Sequence, residues 1–291
     1  MRLSLPNIEI VNQEPAMAGV FKQIEYAGRI CYKSHDKMMD GSSEEFVNRM
    51  INSGHNSVLE HGTIYLVIPN QEAGVCSDFE ENKFSHCEIC NGFHYVTTNY
   101  RVIVENDFMD YLKYMVDEPS QCHHLRISVK FNTQIAVSRE FNRHRTDSIV
   151  EQSTRYCNYA RDKFNNEITI NTPTFLSKED LDEVDHMALM FDLRELFDFC
   201  YDKEDIAAPV SYWMLANRTA EFCYMKMIEK GWKAQEARTI LPLDTNTELV
   251  HTAFIKDWKH FLELRTSSAA HPDIQVLANN IRDEFTRSGL I

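Results

Sequence analysis

Between Arg139 and Arg155 the chain gathers four arginines, Arg139, Arg143, Arg145 and Arg155, with His144, Ser148, Ser153 and Thr154 among them. A guanidinium keeps its charge at any working pH and offers a planar fork of donors that matches a phosphate. Serine and threonine hydroxyls add neutral donors, and Glu151 can accept from a sugar hydroxyl. The set suits a phosphorylated sugar. It equally suits a salt-bridged surface helix and a following loop, since clustered arginines are commonly solvated. Forty-four acidic residues stand against 30 basic ones, a net charge of -14. That field disfavours nucleic acid or an anionic membrane as partner, yet leaves room for a small anion in a local basic pocket.

Other nucleotide signals are missing. The nine glycines are isolated, so there is neither a G-x-G-x-x-G turn nor a Walker A loop. Any phosphate must then be held by side chains and helix ends. Cys87-Glu88-Ile89-Cys90, with Cys76, His86 and His94 nearby, could assemble a zinc site. One C-x-x-C lacks the second pair that makes such a signal specific, and the expectation is no metal. The first residues lack the apolar core of a signal peptide, and no stretch approaches 18 apolar residues. A cytoplasmic protein with eight reduced thiols is expected.

The order of the residues carries more than their types. Arg143-His144-Arg145, seven residues and then Ser153 resembles the signature of the flavin-dependent thymidylate synthases, with Glu151, Arg155 and Tyr156 also in place. Gly54-His55-Asn56-Ser57-Val58-Leu59-Glu60-His61, Glu236-Ala237-Arg238-Thr239-Ile240-Leu241-Pro242 and Asp257-Trp258-Lys259-His260-Phe261-Leu262-Glu263-Leu264-Arg265 resemble that family's other blocks, in its order. The resemblance implies conversion of dUMP to dTMP, with methylenetetrahydrofolate as one-carbon donor, FAD as cofactor and NADPH as its reductant. It also implies a homotetramer with shared active sites.

By the same resemblance, dUMP is held by Glu140, Arg143, Glu151, Gln152, Ser153, Thr154, Arg155, Arg238 and Arg265, with Arg265 facing the uracil. FAD is held by Ser57, Arg143, His144, Arg145, Glu151, Lys256 and His260, and His55 stands near the reacting centre. Each residue also has a structural reading. His55 could be an ordinary structural histidine, Ser57 and Glu60 a capping box, and Arg238 a cation at a helix end. No cysteine follows a proline, so a thiol nucleophile in a Pro-Cys-His setting has no candidate. Val150, Glu140, Phe254 and Lys256 depart from residues common in the family. They leave a non-catalytic nucleotide-binding protein as the alternative.

The elements that must position these residues read as α+β, strands early and helices late, in one domain over 1–291 with an insertion at about 70–122. Val20 to Cys31 predicts a helix, and Ser42 with Glu45 predicts a capping box for a second helix that stops at Gly54. Thr63 to Ile68 and Leu125 to Phe131 alternate as strands, and Tyr95 to Val104 also favours strand. Asp107 to Met115 favours a helix. Thr133 could cap a helix running through Arg143, which would carry the Arg-His-Arg triplet at its C-terminal end. Trp213, Ala216, Ala220, Cys223 and Met227 predict the inner seam of a long helix stopped by Gly231. Helices are also expected over Gln235 to Ile240, Thr245 to Leu264 and Asp273 to Arg287.

Overall fold

Pro6 separates two short strands, β1 (Arg2–Ser4) and β2 (Asn7–Val11), in the computed structural model, which describes residues 1–72 and 74–291. There follow α1 (Ala16–Ile30), α2 (Ser42–Asn52), a 3-10 turn at Asn56–His61 and β3 (Thr63–Pro69). The middle of the chain forms α3 (Val75–Glu80), β4 (His86–Cys90), β5 (Phe93–Asn99), α4 (Tyr100–Glu105) and a 3-10 turn at Met109–Tyr114. Next come β6 (Arg126–Gln134), α5 (Ile135–Phe141), β7 (Ser148–Glu151) and β8 (Thr169–Asn171). The remainder is α6 (Lys178–Met190), α7 (Leu193–Asp202), α8 (Pro209–Glu229), α9 (Ala234–Ala237), β9 (Asn246–Phe254), α10 (Ile255–Arg265) and α11 (Pro272–Arg287).

The central sheet is antiparallel, in the order β2-β6-β9-β7. Its apolar residues pack with α5, α10 and α11 around Phe131, Phe141, Leu249, Trp258, Phe261, Leu277 and Phe285. Burying a side chain of this size contributes about 1.5–3 kcal/mol. A second antiparallel sheet, β3-β5-β4, shares a core with α1 and α2. Gly28 of α1 allows their close approach: a Cβ there would lie 2.6 Å from Phe46 Cζ and 2.9 Å from Val58 Cγ2. β1 and β8 make a short parallel pair. Helices lie on small antiparallel sheets, an α+β fold. Among the described residues, no helix is long and apolar enough to cross a membrane.

Several expectations need correction. Residues 246–254 form the strand β9, not the start of a helix. β9 lies between β6 and β7 with both faces covered, so nearly every residue is buried and the alternation that betrays a strand is lost. The strand expected from Tyr95 to Val104 ends at Asn99, whose side chain accepts from the Val102 amide and starts α4 instead. Asp107 to Met115 holds only the 3-10 turn. Neither expected capping box forms. Gly41 occupies the N-cap of α2 with φ 81°, and the Ser42 hydroxyl donates to Glu25. Glu60 instead accepts from Arg101. Gly54 and Gly231 do end α2 and α8 with positive φ. On α8, Val210, Met214, Asn217 and Tyr224 are buried, so its inner face is turned from the expected seam, and Ala216 is exposed. Finally, Cys76 and Cys87 are joined as a disulfide, so the thiols are not all free.

Candidate functional site

Helix α5 stops two residues earlier than the Arg-His-Arg triplet requires. The Arg143 amide donates to Glu140 and the His144 amide to Phe141, a tightened last turn that leaves the triplet on the connection to β7. His144 is buried there, whereas Arg143 and Arg145 project into solvent. The triplet therefore marks a helix exit, not a helix end as expected.

Along one face of α5, Ile135, Ser138, Arg139 and Asn142 border a cleft of about 590 Å³. Its other wall is Glu151 to Thr154 and the segment Arg238, Thr239, Leu241 and Leu243. The backbone of Ser153 is pinned from both sides, its amide donating to Cys31 O and its carbonyl accepting from Cys157 N, each at 2.9 Å. Arg238 Nη1 donates to Thr154 Oγ1 at 3.1 Å. Glu151 accepts from Thr247 Oγ1 at 2.9 Å, and burial raises its pKa despite that hydroxyl and nearby Arg139. Buried Gln152 keeps Oε1 without a partner among the described residues. The lining contains no cysteine. The nearby thiols of Cys31 and Cys157 are pushed up to about 11 by burial, which leaves them protonated at neutral pH.

A second cleft, about 430 Å³, opens where α5 ends. Arg143 to Asp147 form one side, and Asp257, His260, Leu264 and Arg265 of α10 the other. The two clefts share no lining residue. Arg265 is held firmly, donating to Glu140 Oε2 at 2.6 Å, to the Glu140 carbonyl at 2.9 Å and to His144 Nε2 at 3.3 Å. An acceptor at Nε2 means a neutral imidazole. Burial agrees, pulling the His144 pKa down to about 4 with help from His251 and Arg265.

Beneath this loop lies a buried polar seam. His251 Nε2 and Asp147 Oδ2 are 2.7 Å apart with both side chains sealed from solvent, and the His251 ring lies 4.2 Å from Trp258. On the same strand, Thr252 Oγ1 meets His61 Nδ1 at 2.8 Å and Ser128 Oγ at 2.6 Å. Arg126 donates to Glu60 O, Thr63 Oγ1 and Ser148 Oγ. Desolvation lowers the pKa of His61 to about 3 and that of Arg126 to about 10.

The expected dUMP set is thus divided. Glu151, Gln152, Ser153, Thr154 and Arg238 meet in the first cleft, whereas Arg143 and Arg265 border the second and Glu140 pairs with Arg265. Arg155 is exposed over Tyr156, outside both linings. Of the expected FAD set, Arg143, His144, Arg145 and His260 come together, and Glu151 stands apart in the first cleft. His55 and Ser57 are exposed at the start of the Asn56–His61 turn, and Lys256 is exposed on α10. Sequence reasoning counted Arg139 in the arginine cluster but not in the dUMP set, and it passed over Asn142 as lining and Asp147 and His251 as the buried pair. Asp147 sits inside the signature, two residues after Arg145, and could have been singled out. His251 lay in a segment read as helix and gave no signal.

One family model, described as thymidylate synthase complementing protein, matches residues 15–86 and 86–288. A stretch of 64 residues, 22% of this chain, is 41% identical to a probable flavin-dependent thymidylate synthase of Paramecium bursaria Chlorella virus 1 and covers 30% of it. Over 162 residues, 56% of the chain, it is 26% identical to a flavin-dependent thymidylate synthase of Thermosipho africanus (strain TCF52B), covering 64% of that protein. The matched stretches span less than two thirds of either relative. The crystal structure of a UMP/dUMP methylase, PolB from Streptomyces cacaoi, bound with 5-Br dUMP aligns over 99% of this chain and 93% of its own, with 16% identity and a TM-score of 0.43.

Proposed function

The chain belongs to the thymidylate synthase complementing protein family, and from that premise we propose that it is a flavin-dependent thymidylate synthase converting dUMP to dTMP. One observation carries the reading. In a protein of net charge -14, Arg139, Arg143, Arg145, Arg155 and Arg238 have no carboxylate within ion-pair distance among the described residues. Gathered about the two clefts, such cations can bind an anionic ligand through charge-assisted bonds.

In the first cleft, Arg238, Arg139, Ser153 and Thr154 take the 5′-phosphate, and Glu151 accepts from the sugar. The pinned backbone of Ser153 keeps this cradle preorganised, so little ordering is needed on binding. No thiol of the lining can attack the uracil, which fits a route without a cysteine nucleophile.

The second cleft fits FAD by the chemistry of its donors. Arg143 and Arg145 are exposed cations suited to the diphosphate, and His144, neutral and buried, offers an uncharged ring wall. When bound, reduced flavin supplies the hydride that completes the methyl group. NADPH is its reductant and methylenetetrahydrofolate the one-carbon donor. Arg265 stabilises the negative charge that develops on the uracil, and its bonds to Glu140 hold the guanidinium in one orientation.

Arg265 and the phosphate cradle line different clefts of one chain, a division that suits a site completed by another copy. We propose that the activity resides in a homotetramer with shared sites, the assembly that the family resemblance implies. His55, Ser57 and Lys256, exposed outside both linings, join the site across those interfaces.

The test is the visible spectrum of the purified protein with FAD, NADPH and dUMP, followed by analysis for dTMP. A flavin band that NADPH bleaches, faster with dUMP, together with dTMP formation, is expected. No flavin band after adding FAD, with dUMP still bound, overturns the synthase reading in favour of a nucleotide-binding protein.

A further inference from the structure

The strand β4 decides which of the cysteines and histidines near residues 76–94 can act together. Side chains alternate between the two faces of a strand, and Cys90 lies an odd number of positions after Cys87, with two residues between them. They face opposite ways. Cys90 and His86 lie on the side where His86 meets His124 and Phe254 and Cys90 meets Cys122. The C-x-x-C pair is therefore no chelate.

On the other face a different set converges. Cys87 pairs with Val96 of β5, and Ile89 pairs with His94, which puts Cys87 and His94 on one face as diagonal neighbours. Helix α3 packs over that face through Val75 and Phe79 and delivers Cys76. His94 Nδ1 lies 3.2 Å from Cys76 Sγ and 3.8 Å from Cys87 Sγ, and the three ligand atoms fall within 4.8 Å of one another. His94 is buried, and the two cysteines are half-buried.

We propose that Cys76, Cys87 and His94, with the two thiols reduced, bind one thiophilic divalent cation of the Zn²⁺ class. Two thiolates and an imidazole are soft and borderline donors, which select Zn²⁺ over Mg²⁺ or Ca²⁺. Water fills the fourth position. The three ligands come from three elements, so the ion ties α3 to the β4–β5 hairpin, about 50 residues upstream of the arginine-rich connection. The disulfide seen between Cys76 and Cys87 is the alternative, metal-free state, since sulfurs bonded to each other have no thiolate charge to give.

Co²⁺ serves as a coloured stand-in for Zn²⁺. Full-length protein reduced with a phosphine and titrated anaerobically should take up about one Co²⁺ per chain, with a thiolate-to-cobalt charge-transfer band. Excess Zn²⁺ should erase the band. Cys90→Ser should keep it, whereas Cys76→Ser should lose it. Protein oxidised with diamide should take up none, a comparison that needs no variant. Absence of the band in the reduced protein, loss of it in Cys90→Ser, or equal uptake by the oxidised protein overturns the proposal.

Discussion

Arg238→Ala and Arg265→Ala, each strongly impaired alone, should regain part of the activity when their chains share one assembly. The two guanidiniums belong to clefts with no common lining residue, one against Thr154 and the other against Glu140. Losing a charge-assisted contact to substrate costs about 1.5–3 kcal/mol, roughly a 10- to 100-fold drop in dTMP formation for either variant. In assemblies mixed at random from equal amounts, half of the copies keep Arg238 and half keep Arg265. A site that draws these residues from different copies is intact in about one quarter of cases. If one chain supplied both, every site would lack one arginine and activity would remain at the single-variant floor. Co-expression with two tags, tandem purification and chromatographic assay of dTMP distinguish the outcomes, with native mass spectrometry verifying the mixing. Mixed assemblies at the floor would refute the shared site.

Ser153→Ala should weaken dUMP binding by about tenfold, the worth of one charge-assisted hydrogen bond, while flavin reduction by NADPH changes little; the reverse pattern in titration and stopped-flow data would remove Ser153 from the phosphate cradle. His61 is buried and neutral with its pKa lowered to about 3, so the unfolded chain binds more protons as pH falls below 6.5. Stability to urea should therefore be level above that pH and decline from 6.5 toward 3, with a shallower decline in His61→Gln; an unchanged slope would place the acid sensitivity elsewhere. Gly28→Ala gains about 1 kcal/mol of helix propensity, yet its Cβ meets Phe46, whose ring carries Arg29 at 5.0 Å and Arg49 at 5.2 Å. A net loss of up to about 2 kcal/mol should appear as a lower urea midpoint, and a stabilised variant would show that the ring can yield.

The sequence was most legible where each residue reports its own environment. β3 and β6 fall where the residue alternation placed strands, and α11 begins within a residue of its expected start, because Pro272 suits a first helical turn. β9 was misread because Asn-Thr-Glu-Leu-Val-His-Thr-Ala-Phe follows no apolar-polar alternation, and a neighbour on each edge with cover on each face buries its polar and apolar side chains alike. The signature residues were legible as a set, whereas their division between two clefts was not. That division depends on where α5 stops, and the stop is fixed by two amide bonds within its last turn. The buried pair Asp147 and His251 was hidden for a related reason: one partner lay on the misread strand.

Strand β9 is a common ruler for both clefts. Thr247 reaches Glu151 in the first, His251 reaches Asp147 under the second, and the strand runs straight into the helix that carries His260 and Arg265. A slip of two residues along β9 would break both contacts at once, so neither cleft can be widened by backbone movement without disturbing the other. Tuning one ligand separately from the other must then be done by side-chain replacement at the rims. Asn142 and Thr239 around the first cleft, and Thr146 and Leu264 around the second, are where such divergence can be accommodated.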